Sequence, residues 1–98
     1  MHTDDHLYIV AYDISDQKRW RRVFRIMQGR GAWLQLSVFQ CRLSRQGLAS
    51  LRAALHEAIS HDADHVVVLD LGPADQVTPR VTCLGKAFTA VSRQPIIV

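Results

Sequence analysis

"LYIVAYDISD", Leu7 to Asp16, is the stretch that decides how the rest of the chain is read. Leu7 to Tyr12 is a wholly apolar run, as expected for a strand covered on both faces. It ends in a carboxylate, Asp13, and "DISD" then supplies turn chemistry. Ser15 or Asp16 can cap a following helix, and Asp16 suits the positive end of its dipole. Asp13 therefore has two readings: a turn residue ahead of a helix, or a working carboxylate at the end of a rigid strand. Spacing favours the turn residue.

Downstream, Trp20, Val23, Phe24 and Met27 fall at i, i+3, i+4 and i+7, one apolar helical stripe with Arg19, Arg22 and Arg25 kept off it. Gly29 and Gly31 end that helix. Ala32 to Leu43, "AWLQLSVFQCRL", has strand composition and is long enough for one bent strand or two short ones meeting near Ser37. Ser44 caps a second helix with Leu48, Leu51, Leu55 and Ile59 as its buried stripe. His65 to Leu71, "HVVVLDL", reads as another buried strand. Gly72, Pro73 and Pro79 punctuate a loop, "RVTCLG" from Arg80 reads as a short strand, and the final "PIIV" as one more. The order predicts an α+β fold, a ferredoxin-like βαββαβ sandwich with an extra C-terminal strand. Residues 1–98 form one domain, with 1–6 frayed. Residues 95–98 can return to their own sheet or add to a partner's edge.

The chain has 98 residues and a net charge of +3. From Gln17 to His56 there are nine cations (Lys18, Arg19, Arg21, Arg22, Arg25, Arg30, Arg42, Arg45, Arg52) and no acid. The remainder holds nine acids against three cations. Arginine donates in pairs to phosphate, so this asymmetry points to a nucleic-acid surface. No run is long and apolar enough to span a membrane, and "MHTDDH" is the opposite of a signal peptide. Cys41 and Cys83 form no framework and read as reduced thiols, the usage of a cytoplasmic protein. His61 and His65 bridge a helix end and a strand start, so the histidines make no zinc pattern. Asp70 reads as a turn or edge residue.

A magnesium ion commonly takes one or two carboxylates and completes its shell with water and phosphate. A two-fold axis near Asp13 would make a two-carboxylate site from one residue, able to activate water on a phosphodiester.

The stretch Tyr8 to Ser44 resembles the CRISPR-associated protein two family, the small adaptation protein that accompanies the Cas-one integrase. Tyr12, Asp13, Ile14, Ser15 and Asp16 match its first motif, and Gln35, Ser37, Val38 and Phe39 its second. The match is strong from residue 7 to 44 and looser to Leu71. Trp33 stands where the family often has arginine, and Gln40 where it has glutamate. The resemblance implies a ferredoxin-like homodimer whose C-terminal strand, 95–98 here, joins the partner's sheet, and in which Asp13 binds Mg2+, or Mn2+, across the two-fold. The basic block supplies the expected nucleic-acid contacts from Lys18, Arg19, Arg22 and Arg25, and Arg22 matches a helix position associated in the family with phosphate contact. Tyr12, Ser37 and Phe39 match residues that shape the site. Family members either cut RNA or duplex DNA, or bridge Cas-one dimers along a spacer duplex as catalytically silent scaffolds. A stand-alone toxin-like ribonuclease of the same fold is the remaining alternative.

Overall fold

A computed structural model of the chain describes residues 4–85. The elements run β1 (His6–Asp13), α1 (Gln17–Gln28), β2 (Gly31–Gln35), β3 (Val38–Leu43), α2 (Arg45–Ala58) and β4 (His65–Pro73). The four strands form one antiparallel sheet in the order β2-β3-β1-β4. This is the ferredoxin-like arrangement predicted from the element order. Ala32 to Leu43 resolves into two strands joined by a two-residue turn at Leu36 and Ser37.

β1 is central, pairing with β3 on one side and β4 on the other. Its alternation sorts the sheet into two faces. Tyr8, Val10 and Tyr12 enter the core with Phe39, Cys41 and Leu43 of β3. The helices close this face with Val23, Phe24 and Met27 from α1, and Leu51, Leu55 and Ala58 from α2. Phe24 is the aromatic hub. Its ring lies 5.0 Å from Trp20, stacked, and meets Phe39 and Trp33 edge-on at 5.6 and 5.8 Å. Trp33, in the place of the expected arginine, thus extends the core. Burial among these groups pushes the Cys41 thiol up to about 11, which keeps it protonated.

Both helices carry the expected caps. Asp16 accepts from Arg19 N at 2.9 Å and Ser44 from Gly47 N at 3.0 Å. Gly29 caps α1, whereas Gly31 belongs to β2.

Three expectations need correction. β4 is not a buried strand. It lies at the sheet edge and pairs with β1, and Val67, Val68 and Leu69 are exposed on it. An unbroken run of valines is the composition of a strand covered on both faces, but here only Val66 packs against the core, and nothing among the described residues covers Val67 and Leu69. Arg80–Gly85 forms no strand and pairs with none of the four strands of the sheet. Within the segment expected to fray, Asp5 and His6 are tied down: β1 starts at His6, the Asp5 carbonyl accepts from Ala74 N at 2.8 Å, and Asp5 Oδ2 accepts from Arg42 Nε at 3.2 Å. The C-terminal 95–98 strand lies outside the described residues.

Asp70 does hold an edge. Its Oδ1 accepts from Gly72 N at 2.8 Å and lies 2.8 Å from His6 Nδ1. Gly72 has φ +113°, next to the register shift between Leu7 and Tyr8, a conformation that favours glycine.

Gly31 marks where β2 is pressed closest to β3. A Cβ there would stand 2.6 Å from both Cys41 Sγ and the Gln40 carbonyl oxygen. Gly31→Ala is expected to cost about 1–3 kcal/mol, the usual range for overpacking. Gly29→Ala, whose Cβ meets nothing nearer than 3.8 Å, is expected to stay within about 0.5 kcal/mol. Urea unfolding of the two variants side by side measures the contrast.

Candidate nucleic-acid and metal site

The C-terminal end of β1 is held from both sides. Ahead of Asp13, Tyr12 N donates to the Ser37 carbonyl at 3.1 Å, and Trp20 Nε1 donates to Ser37 Oγ at 3.0 Å. The β2–β3 turn is thereby tied to β1 and α1 at once. Beyond Asp13, Ser15 donates to Asp64 Oδ1 through its N–H at 3.0 Å and its hydroxyl at 3.2 Å.

Asp64 is the centre of this end of the molecule. Its carboxylate also accepts from Arg19 Nε at 2.7 Å, Arg19 Nη2 at 3.2 Å and Ser60 N at 2.8 Å. The side chain is fully shielded from solvent. The Arg19 hydrogen bond, reinforced by the Ser60 and Ser15 N–H groups, holds the carboxyl well below the usual carboxylate range against the opposing effect of burial. Sequence reading passed over Asp64 because its partners lie 45 and 49 positions away. No local pattern signals such a contact.

Asp64 is committed to Arg19, and Asp16 to the α1 cap. Asp13 is exposed and makes no hydrogen bond or ion pair among the described residues. It projects on the face that carries Ile9 and Ala11, away from the helices, since Tyr12 is buried on the helix side. Tyr12 and Phe39 therefore belong to the core, their rings 6.4 Å apart, and act on Asp13 only through the backbone. The Tyr12 hydroxyl is buried without a hydrogen bond, and that burial pushes its pKa up. Ser37 positions the strand end and does not line the open face.

The cations sort differently from the sequence expectation. Arg19 is turned into Asp64. Lys18, Arg21, Arg22 and Arg25 are exposed and stand at i, i+3, i+4 and i+7 on α1. They fall within about 100° around the axis, opposite the apolar stripe. Arg21 thus joins the candidates, and the same spacing rule that found the apolar stripe would have found it. Lys18, in the first turn, lies closest in the chain to Asp13. The rest of the stripe looks outward from the helix layer, while Asp13 looks out from the sheet.

The family described as CRISPR associated protein Cas2 matches residues 6–78 of this sequence. The chain belongs to the Cas2 family. A relative from Geobacter sulfurreducens, named CRISPR-associated endoribonuclease Cas2, is 55% identical over 94 residues, covering 96% of this chain and 99% of its own length. A second, from Rhodospirillum rubrum and similarly named, is 51% identical over 94 residues, or 96% and 92% of the two chains. Among solved structures, Cas2 of Streptococcus pyogenes superposes with a TM-score of 0.70 at 27% identity, covering 81% of this chain and 99% of its own. A hypothetical protein from Thermus thermophilus gives 0.70 at 30% identity, covering 84% and 93%. No helix among the described residues is long and apolar enough to cross a membrane.

The Asp64 network has a pH signature. A carboxyl with a depressed folded-state pKa stabilises the fold above its unfolded value, about 3.9, and loses that contribution as pH falls through the folded value. Asp64→Asn is therefore expected to be less stable than wild type near pH 7, with the difference shrinking below about pH 4. Thermal unfolding of both proteins across pH 3–7 (on the order of one-unit steps) reads it.

Proposed function

We propose that the protein is a metal-dependent phosphodiesterase and duplex-binding component of CRISPR spacer acquisition, acting as a homodimer beside the Cas-one integrase. The observation that carries the proposal is the exposed Asp13 carboxylate. It is held at the end of a pinned strand, free of any protein cation, in a chain of the Cas2 family. The relatives from Geobacter sulfurreducens and Rhodospirillum rubrum carry the name endoribonuclease, which supports RNA cleavage here.

An uncommitted, solvent-exposed carboxylate suits Mg2+ or Mn2+, which complete their shells with water and phosphate oxygens. Asp13 would hold the ion, and a second copy across a two-fold would supply the second carboxylate. When bound, the ion supplies charge neutralisation at the phosphate and an acidified water. The chain's own contribution is to fix Asp13 through Tyr12–Ser37 and Ser15–Asp64, and to hold the polyanion through Lys18, Arg21, Arg22 and Arg25. Dimerisation is supported by the open sheet face, where Val67 and Leu69 are 46% and 53% exposed beside Ile9 and Ala11. An apolar surface of this kind marks an interaction site.

Asp13→Ala is expected to reduce Mg2+-dependent cleavage of defined RNA or duplex DNA by about a hundredfold or more, with binding retained. Cleavage that persists in this variant removes the catalytic role. Binding to duplex DNA should weaken steeply with salt and vary little with sequence. Lys18→Ala, Arg22→Ala and Arg25→Ala together are expected to lower the slope of log K against log salt by about two to three. An unchanged slope in fluorescence anisotropy would count against the α1 stripe.

One observation favours the scaffold role as a second reading. The cation stripe and Asp13 look out from opposite layers, so a duplex lying along α1 need not approach the carboxylate. Spacer integration with Cas-one, assayed with Asp13→Ala, separates the two: undiminished integration assigns the protein to bridging.

A further inference from the structure

Asp13 has a cross-strand neighbour on the open face of the sheet. In the β1–β4 register its partner is His65, the first residue of β4. Residues directly opposite in an antiparallel pair point to the same face, with Cβ atoms about 4.5–5.5 Å apart. Both side chains are exposed, and neither makes a hydrogen bond or ion pair among the described residues. Three other groups at this end are occupied: Asp64 by Arg19, Ser15 and Ser60, Asp16 by the α1 cap, and His61 by donation from Nε2 to the His56 carbonyl at 2.9 Å.

We infer that His65 is a second metal-binding residue, so that each protomer presents an Asp13–His65 carboxylate–imidazole pair to a divalent transition metal such as Mn2+. The inference rests on the proposed cation role of Asp13 and deepens it by naming the metal class. Donor atoms at a metal lie roughly 2.0–2.2 Å from it, and a cross-strand pair on one face spans that gap. Imidazole nitrogen favours first-row transition metals, whereas Mg2+ demands oxygen and retains its waters. The pair sits on backbone fixed on both flanks, Tyr12 N on Ser37 and Asp64 on four donor groups, which keeps it in position before the ion arrives. Among the described residues of one chain no group of three or more His, Cys, Asp or Glu side chains is placed around one ion. Two pairs related by a two-fold would give four protein ligands, leaving positions for water and a phosphate oxygen.

The test is Mn2+ and Mg2+ binding to the full chain near pH 8, above the ordinary imidazole range of about 6.5. Electron paramagnetic resonance follows free Mn2+, and Mg2+ is added as competitor. Electron spin-echo modulation of bound Mn2+ is expected to show imidazole nitrogen in wild type and to lose it in His65→Gln. That variant is expected to bind Mn2+ at least about tenfold more weakly, with Mg2+ affinity changed less than about threefold. Asp13→Asn is expected to lose both ions. Bound Mn2+ without nitrogen modulation in wild type, or unchanged Mn2+ affinity in His65→Gln while Asp13→Asn fails to bind, overturns the His65 assignment and leaves the Asp13 reading standing. Metal binding that survives in Asp13→Asn, or no Mn2+ uptake by wild type, overturns both.

Discussion

Every placement in this molecule follows from β1 lying between two antiparallel neighbours. A central strand must satisfy backbone groups on both edges, and its side chains can only alternate between two faces. Tyr8, Val10 and Tyr12 are thereby committed to the helix layer, and with them Phe39 and Cys41 across the β3 ladder. Ile9, Ala11 and Asp13 are committed to the opposite face. Slipping β1 by one residue would bury the carboxylate against Trp20 and Phe39 and expose two tyrosines. The position of Asp13 is thus a consequence of where the core is, with no separate device needed to turn it outward.

The long-range ties refine that placement. Ser37 and Asp64 come from turns far apart in sequence, yet they grip β1 and its continuation on either side of Asp13. Asp64 satisfies five donor contacts while shielded from water. A buried carboxylate of this kind is tolerated because it is paired and fully hydrogen-bonded. Removing Arg19 would leave a buried charge without its counter-ion. The same network takes Arg19 out of the cationic surface, which explains why a helix with five basic residues presents four of them in one stripe.

Most of the architecture was legible because it is written in local periodicity. The i, i+3, i+4 spacing of Trp20, Val23, Phe24 and Met27, the caps at Asp16 and Ser44, and the apolar run of β1 all appear where sequence places them. Asp13 stands out in the sequence through its motif, and the structure leaves it exposed at the end of β1. What remained hidden depends on contacts between distant segments. Nothing around Asp64 marks it as a hub, and nothing around His65 reveals that it stands opposite Asp13. β4 shows the reverse error: Val66, Val67 and Val68 read as doubly covered, although the described chain covers little more than one side of the strand. Composition reports how apolar a strand is and not which molecule covers it.

That exposed strand links the two functional surfaces of the proposed activity. Val67 and Leu69 share their face with Asp13 and His65, so a second copy that buries the former approaches the latter in the same step. The cation stripe on α1 lies on the other layer and is complete in a single chain. Under the proposed reading, binding to a polyanion is therefore a property of each protomer, and metal chemistry a property of the pair. A substitution that places a charge at Val67 would separate them. Introduced charge on an apolar interface opposes association, which would leave two half-sites, each with an intact α1 surface. Salt-sensitive duplex binding would then persist while Mn2+ binding at the paired site fell with the fraction of dimer. The physical reason is the layer order itself: one sheet, with helices on one side, would put the proposed second copy and the proposed nucleic acid on faces where they do not compete.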